Sequence, residues 1–534
     1  MVAPVKQSYK MPGVSRLSGS MRGPMHDWRP PRSVTRGVDG RERELTSARV
    51  EDLFRNDGVT RSVVNSLTTN VVGKGLSPQS IIPWKRLGIT AEQAREIQDQ
   101  IEWLWIEWTD QAHFRGQLTF EGLQAMAVRS LVRSGEFLHL PVIEKRPRSG
   151  CRFRLRIQEI DPRRLRTPYT KVESPYFHDG VEVNLYGVPV AYWIQNPTPE
   201  FGFVDYTCLA TEDYQRYPAM LNFGRRGVFH IFRAEEDEQY RGSSPLSPVV
   251  SFLRNFTDSI DNELLAQVIA SSFPVFIELE GGVAGGLPDY VQEGQTEEEP
   301  RYYQDVQGGQ IMYGNKGEKP QVLESSRPSS NFQNFCTLLL RMIGAALELP
   351  YETITKDFSK TNYSSARAAL LEASRVYDIY RSDLIRHYCQ PIFSMVVEEA
   401  YLSGLIDLPC SVVEFYRDKT LWTNARWIAP ARGYIDPLKE ANANIAMINA
   451  GLMSRSEAIA ERGGDFDDVA QRIADENEIL EDLGISFETQ QTQSQGADST
   501  DDGVAGDDEE DEDNASAEEE SDDNGNEDTD DEGR

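Results

Sequence analysis

Along much of the chain apolar positions recur at steps of three and four, a spacing that predicts helices. Ile97, Ile101, Leu104, Trp105 and Trp108 share one face of a helix expected over 90–114. A second helix is expected over 120–133, ending at Ser134-Gly135. From there the period shortens to two. That alternation predicts strands at 137–143, 153–160, 181–186, 188–194 and 228–233, with Tyr186-Gly187 as a hairpin tip. Helical spacing returns with Val249, Leu253, Phe256, Ile260, Leu264 and Val268. Ser247-Pro248 stands before them, a serine cap followed by a first-turn proline, for a helix running to about 272. Short strands are expected at 274–280, 302–310, 311–313 and 322–324, around a stretch rich in Gly and Glu, and a helix over 332–349 follows. Asp436-Pro437 opens further helices carrying Ile445, Ile448, Leu452 and Ile459. This order of elements gives a mixed α+β fold class.

The densest pattern lies in Ala345–Gly404. Leu349-Pro350 should end an apolar helix, because proline cannot continue one and disfavours helix in the residue before it. A polar, solvated loop is expected over 351–363. A long helix should then start at Ser364-Ser365, where either hydroxyl can cap free N–H groups. Leu370, Leu371, Val376, Tyr377, Tyr380, Leu384, Ile385 and Tyr388 would be its buried face. Gln390-Pro391 should kink it, and Phe393, Val396, Val397, Ala400 and Tyr401 resume the pattern up to Gly404.

The letters carry more than their period. Leu349-Pro350-Tyr351-Glu352, then Asn362-Tyr363-Ser364-Ser365-Ala366-Arg367-Ala368, then Glu372 and Arg375, resemble the signature block of the lambda-type portal proteins of tailed bacteriophages. The runs 41–58 and 435–476 are similar to the same family. The resemblance extends from about residue 28 to 480 in one order.

That resemblance implies a multidomain portal fold. Its parts would be a basic N-terminal arm (1–49), an α+β wing (50–244), a stem helix (245–273), a small β-containing clip (274–328) and a returning stem helix (329–349). A tunnel loop (350–364), a long kinked helix with a return to the wing (365–430), a helical crown (431–486) and a disordered acidic tail (487–534) would complete it. About twelve copies would close into a ring through heterologous contacts. Double-stranded DNA would pass through the ring at one capsid vertex, driven in by a docked terminase large subunit and later ejected. Head-completion or connector proteins, and the major capsid protein or its scaffold, would be further partners. The protein would be assembled in the host cytoplasm and reside in the virion. By resemblance the tunnel loop offers Lys356, Lys360 and Asn362 to DNA, while Tyr351, Tyr363, Ser364, Ser365, Ala366 and Arg367 form the family signature. The family implies no catalytic residue, metal or cofactor.

Charge sharpens this picture. The net charge is −31, and the 37 residues from Asp498 to Arg534 hold 20 acids and one base. So polar a tail cannot bury enough apolar surface to offset chain entropy, and no fold is expected there. An interaction or spacer tail and a merely solubilising one remain equally open. The first 49 residues are basic, with Lys6, Lys10, Arg16, Arg22, Arg29, Arg32, Arg36, Arg41 and Arg43 around Trp28. They read either as a loose terminus or as an arm that orders on a neighbouring subunit. The remaining body is net negative, so its channel wall would not grip phosphates as a tight DNA binder does. Such a wall suits DNA that has to slide.

Other chemistries find little support. No GxSxG or HExxH motif occurs. Gly73-Lys74-Gly75 is not a phosphate loop, since Thr68 stands where that loop needs glycine. The five cysteines are odd in number and far apart, which argues against zinc and fits a reducing compartment. No apolar run of about 18 residues occurs, and the N-terminus lacks the apolar segment of a signal peptide. Glu235-Glu236-Asp237-Glu238 could serve a metal-dependent nuclease or phosphodiesterase, but adjacent acids point different ways and a solvated face is favoured. His113, His139, His178 and His230 lack ligand spacing and read as structural. Trp103, Trp105, Trp108 and Trp193 are expected in the core. A non-ring intracellular scaffold, recruiting partners through the acidic tail, is the remaining alternative.

Overall fold

The computed structural model describes residues 40–171, 174–197, 213–271, 275–279, 318–322, 330–359, 361–430 and 437–482. The basic arm up to 39, the expected strands at 302–313, Lys360 and the acidic tail lie outside the described residues. Two compact units divide the chain, 1–471 and 472–534. In the second, the described residues are 472–482, which are helical.

The first unit begins with α1 (Gly40–Asn56) and α2 (Gly58–Val71). Between them, the Asp57 carboxylate accepts the Thr60 N–H at 2.6 Å and caps α2. Next come β1 (Ser77–Ser80), α3 (Trp84–Leu87), α4 (Ala91–Thr109) and α5 (Phe120–Ser134). Thr90 and Gln93 form a reciprocal capping box at the start of α4. Its expected face, from Ile97 to Trp108, is buried. Trp103 is the correction: it is 58% exposed, with the Arg152 guanidinium 4.6 Å above its ring. It sits off the stripe that Ile101, Leu104, Trp105 and Trp108 turn inward.

The next stretch supplies β2 (Glu136–Ile143), β3 (Leu155–Ile160), β4 (Phe177–His178), β5 (Val181–Val183), β6 (Pro189–Gln195), β7 (Tyr214–Pro218) and β8 (Phe229–Phe232). They form two antiparallel sheets, β3-β2-β8 and β4-β5-β6-β7. Leu138, Leu140 and Ile160 from the first pack with Val181, Val183, Tyr192 and Ile194 from the second. At the root of β2, the carboxylate of fully buried Glu136 receives Arg241, Arg43 and His230. Arg43, read as part of a basic arm, is therefore a core residue at 4% exposure.

A 3-10 turn at Ser247–Val249, without a side-chain cap, leads into α6 (Val250–Ser271). The apolar face of α6 divides along its length: Leu253 and Phe256 are buried, whereas Leu264 and Val268 are more than half exposed. β9 (Val275–Leu279) pairs antiparallel with β10 (Glu318–Val322). Then come α7 (Ser330–Ala346), α8 (Tyr351–Thr355), α9 (Tyr363–Leu384), a π-helical turn at Ile385–Cys389 and α10 (Gln390–Leu402). α11 (Val412–Arg417), α12 (Lys419–Trp422) and β11 (Ala425–Ile428) follow. β11 returns to β1 antiparallel, Ser77 opposite Ile428. α13 (Pro437–Asn449), α14 (Arg455–Glu461) and α15 (Phe466–Asp482) end the described chain.

One core joins α4, α5, α9 and α10. Trp105 lies 5.2 Å from Phe120 and 5.4 Å from Phe393, both edge-on, and Phe120 stacks on Tyr388 at 5.6 Å. Edge-to-face and offset aromatic pairs add about 0.5–1.5 kcal/mol each beyond their burial. The helical period also misled at α9, where Leu370 and Leu371 are 40% and 54% exposed. Among the described residues no helix is long and apolar enough to cross a membrane.

Candidate functional site: the loop before the long helix

The turn out of α7 is built by one glycine and one strained residue. The Leu349 N–H donates to the Gly344 carbonyl at 2.9 Å, and a Cβ on Gly344 would lie 2.6 Å from the Leu349 oxygen. Glu348 sits at φ +55, a conformation costly for a side chain other than glycine or Asn. Pro350 then starts α8, five residues of helix inside the stretch expected to be all loop. Thr353 and Ile354 face the core, which explains the helix: their side chains need an inward face that an extended loop would not give.

α2 holds this segment in place. The Ser62 hydroxyl donates to the Ile354 carbonyl at 2.7 Å. Four residues on, Ser66 Oγ accepts from the Lys356 ammonium at 3.0 Å. Residues four apart share a helix face, so α2 presents two serines to the loop while Val63, Val64, Leu67 and Val71 are buried. Lys356 is left-handed, φ +60, and closes α8. The residue is exposed, but its ammonium is tied to α2, and burial lowers its pKa. Asp357 Oδ1 accepts from the Ser359 N–H and hydroxyl at 3.0 and 2.6 Å, tightening the next turn.

Asn362 caps α9. Its Oδ1 accepts the Ser365 N–H at 2.8 Å and the Ser364 hydroxyl at 3.0 Å. The start expected at Ser364-Ser365 thus moves back: the asparagine carries the cap, and both serines lie inside the first turn. Of the other signature residues, Tyr351 and Ala366 are half-buried and Arg367 is exposed. Tyr363 opens α9. Arg367, Leu370 and Leu371 line a cleft of about 1240 Å³, opposite Asn70, Lys74 and Met447.

Two further contacts fix the long helix. The Arg381 guanidinium donates to the Asn70 and Val71 carbonyls at 2.7 and 3.1 Å. These lie at the C-terminus of α2, where free carbonyls and the helix dipole favour a cation. The expected proline kink is resolved by a π turn. The Gln390 N–H bonds to Ile385 O, five residues back, and Pro391 has no N–H for the His387 carbonyl. An Arg226 Nη1 stands 3.5 Å from that carbonyl instead. Two turns on, fully buried Glu398 accepts from Arg225, Tyr416 and Lys419. Burial raises its pKa, but the three donors outweigh burial and hold it below the usual range.

The other candidates disperse. Glu235 and Glu236 give their N–H groups to the Gln239 side chain, and among the described residues no group of three or more His, Cys, Asp and Glu could hold a metal ion. His113 pairs with Glu159 at 2.7 Å and His230 with Glu136 at 2.9 Å. Ser62, Ser66, Arg226 and Arg381 escaped the sequence reading. The serines alone left a trace, two hydroxyls four apart opposite a valine-leucine face.

A family model described as phage portal protein, lambda family, matches residues 22–381, a span that takes in the whole loop and nearly all of α9. The chain belongs to the lambda family of phage portal proteins. A portal protein of Escherichia phage N15 is 24% identical over 487 residues, covering 86% of this chain and 89% of that one. Portal protein B of Escherichia phage lambda is 23% identical over 471 residues, covering 84% and 87%. A solved chain from the neck of an empty GTA particle superposes with a TM-score of 0.42 at 15% identity, covering 78% of this chain and 93% of that chain.

Proposed function

We propose that this portal protein forms a closed ring at one capsid vertex and conducts double-stranded DNA inward during packaging and outward at ejection. The observation that carries the reading is the family match over residues 22–381, which includes the stitched loop and the helix that supports it. In this reading α6 and α7 are the stem, residues 274–328 the clip, 350–364 the tunnel loop and 431–486 the crown. The half-exposed Leu264 and Val268 on α6, with Phe335 and Leu338 on α7, suit contact between neighbouring copies. A terminase large subunit docks at the clip. Head-completion proteins, and the shell or its scaffold, are further partners. The protein acts without catalysis of its own, and it assembles in the host cytoplasm.

Lys356, Lys360 and Asn362 are the proposed DNA-facing residues of the loop. The Ser66 contact supports a particular role for Lys356: its ammonium sets the loop on α2 rather than standing free in the channel. Asn362 is committed to the α9 cap through its oxygen.

The test is electron microscopy of the purified full chain with light scattering. Closed rings with a central hole are expected. Monomers in every salt and scaffold condition, together with divalent-metal-dependent DNA cleavage, would overturn the reading in favour of a nuclease. For the loop, Lys356→Gln with Lys360→Gln is expected to lower DNA packaging or retention in rings of normal shape. Unchanged packaging would remove the loop's proposed role.

A further inference from the structure

The strongest local excess of positive charge along the described sequence lies outside the loop. It is the connection between β2 and β3. Residues 144–154 hold Lys145, Arg146, Arg148, Arg152 and Arg154 against a single acid, Glu144. In a chain of net charge −31 this is a sharp inversion.

The hairpin is rigid at its base. Glu399 on α10 accepts the N–H groups of Arg154 and Leu155 at 2.8 and 3.0 Å. Arg148 is clamped by Glu144 at 2.8 Å and donates to the Phe114 carbonyl at 2.6 Å. That contact brings the tip beside Arg115, itself 56% exposed. The tip closes with the Cys151 N–H on the Arg148 carbonyl at 2.9 Å, and Gly150 at φ +78 makes the turn. Three of the arginines have carboxylate partners: Arg148 with Glu144, Arg152 with Glu107 and Arg154 with Glu399. Lys145 and Arg146 are exposed and form no ion pair with a described residue.

We propose that this hairpin is a second DNA-contacting site, separate from the channel loop, in which Lys145 and Arg146 hold the phosphate backbone of duplex DNA and Arg115 and Arg148 add to the field. A phosphate backbone asks only for projecting cations and small polar neighbours. The tip from 145 to 150 offers that and no large apolar side chain, and the exposed Trp103 near the hairpin's base is already covered by the Arg152 guanidinium. A protein partner would ordinarily bury an aromatic or aliphatic centre inside such a patch, so an acidic protein fits less well. The site adds to the portal reading without using Lys356 or Lys360. Its consequence is that DNA touching the wing bears on α10 through Glu399.

The test is the salt dependence of binding of a short blunt-ended DNA duplex by the assembled full-length protein, read by fluorescence anisotropy. Each phosphate contact contributes roughly 0.9 to the slope of log K against log salt. Lys145→Gln with Arg146→Gln is expected to flatten the slope by about two and to weaken binding at low salt. Neither residue forms an ion pair with a described residue, so the melting temperature should not move. Charge reversal, Lys145→Glu with Arg146→Glu, should weaken binding further. A slope unchanged by either variant overturns the proposal, as does wild-type protein without salt-dependent binding. A slope that falls only in Lys356→Gln with Lys360→Gln assigns the contact to the channel loop and overturns the hairpin site, while leaving the portal reading intact. Loss of polyglutamate binding with duplex binding unchanged points to an acidic protein and likewise overturns it.

Discussion

His139 Nδ1 and the Tyr388 hydroxyl lie 2.8 Å apart in the core, 249 residues apart in the chain. One sits on β2, the other in the π turn before Pro391. Burial holds His139 neutral, with its pKa lowered to about 3, and pushes the Tyr388 hydroxyl well above its usual range. Tyr388→Phe leaves a buried imidazole nitrogen without its partner, and an expected loss of about 1–3 kcal/mol should appear in denaturant unfolding.

The same histidine sets a pH dependence. Its folded pKa lies below the unfolded value near 6.5, so the unfolded chain binds the proton first as pH falls. Its stabilising contribution is complete above about pH 6.5 and is lost progressively towards about 3. Wild-type protein should lose about 2 kcal/mol more than His139→Phe between pH 7 and pH 5, measured by unfolding at each pH.

Glu136 on β2 links α1, through Arg43, to His230 on β8 and to Arg241. Burial alone would raise its pKa, yet Arg241, the His230 hydrogen bond and Arg43 hold it well below the usual range. Glu136→Gln leaves two buried guanidinium groups short of their counter-charge. A loss of about 3–5 kcal/mol is expected in thermal unfolding. Replacing Arg43 by Met should cost less than removing Glu136, because Arg241 and His230 still satisfy the carboxylate.

At the mouth of α9, Asn362→Ala should cost about 0.5–2 kcal/mol of helix stability. Hydrogen exchange should rise at the first turn of α9, above all at Ser365, whose N–H the cap accepts. Asn362→Asp should restore protection, because a carboxylate caps as well and suits the positive end of the helix. If exchange at Ser365 were unaffected by the alanine, the cap would have no structural role.

Gly135 ends α5 at φ +80, and a Cβ there would stand 2.1 Å from the Ser243 backbone. Gly135→Ala should therefore cost upwards of about 2 kcal/mol, since strain and overlap add. Soluble yield and melting temperature are the readouts, and an unchanged melting temperature would contradict the close approach.

Much of this was legible in the residues because local signals agreed. α4 carried its period and α5 its breaker at Ser134-Gly135, and β2, β3, β6 and β8 carried alternation. What escaped was decided by distant partners. Ser77–Ser80 is too short and polar to announce a strand, and it becomes one only because Ala425–Ile428 lies beside it. Arg43 and Arg241 look like surface cations until Glu136 is placed between them. Trp103 misled because an amphipathic helix turns some large side chains outward, and Arg152 then covers what the core does not. The loop signature was readable as letters. Its fastening to Ser62 and Ser66 was not, because it pairs residues about 290 positions apart.

The pairing of β1 with β11 imposes an order on synthesis. Ser77–Ser80 leaves the ribosome with α1 and α2, but its partner, Ala425–Ile428, emerges only after both larger sheets, α6, α7 and the long helix. Helices near the N-terminus can form early, while this strand must wait, its edge open, through most of translation. A chain released before residue 425 keeps that edge unpaired. Two short strands thus tie the beginning of the described chain to a segment made about 350 residues later, and the pair closes only once synthesis has passed residue 428.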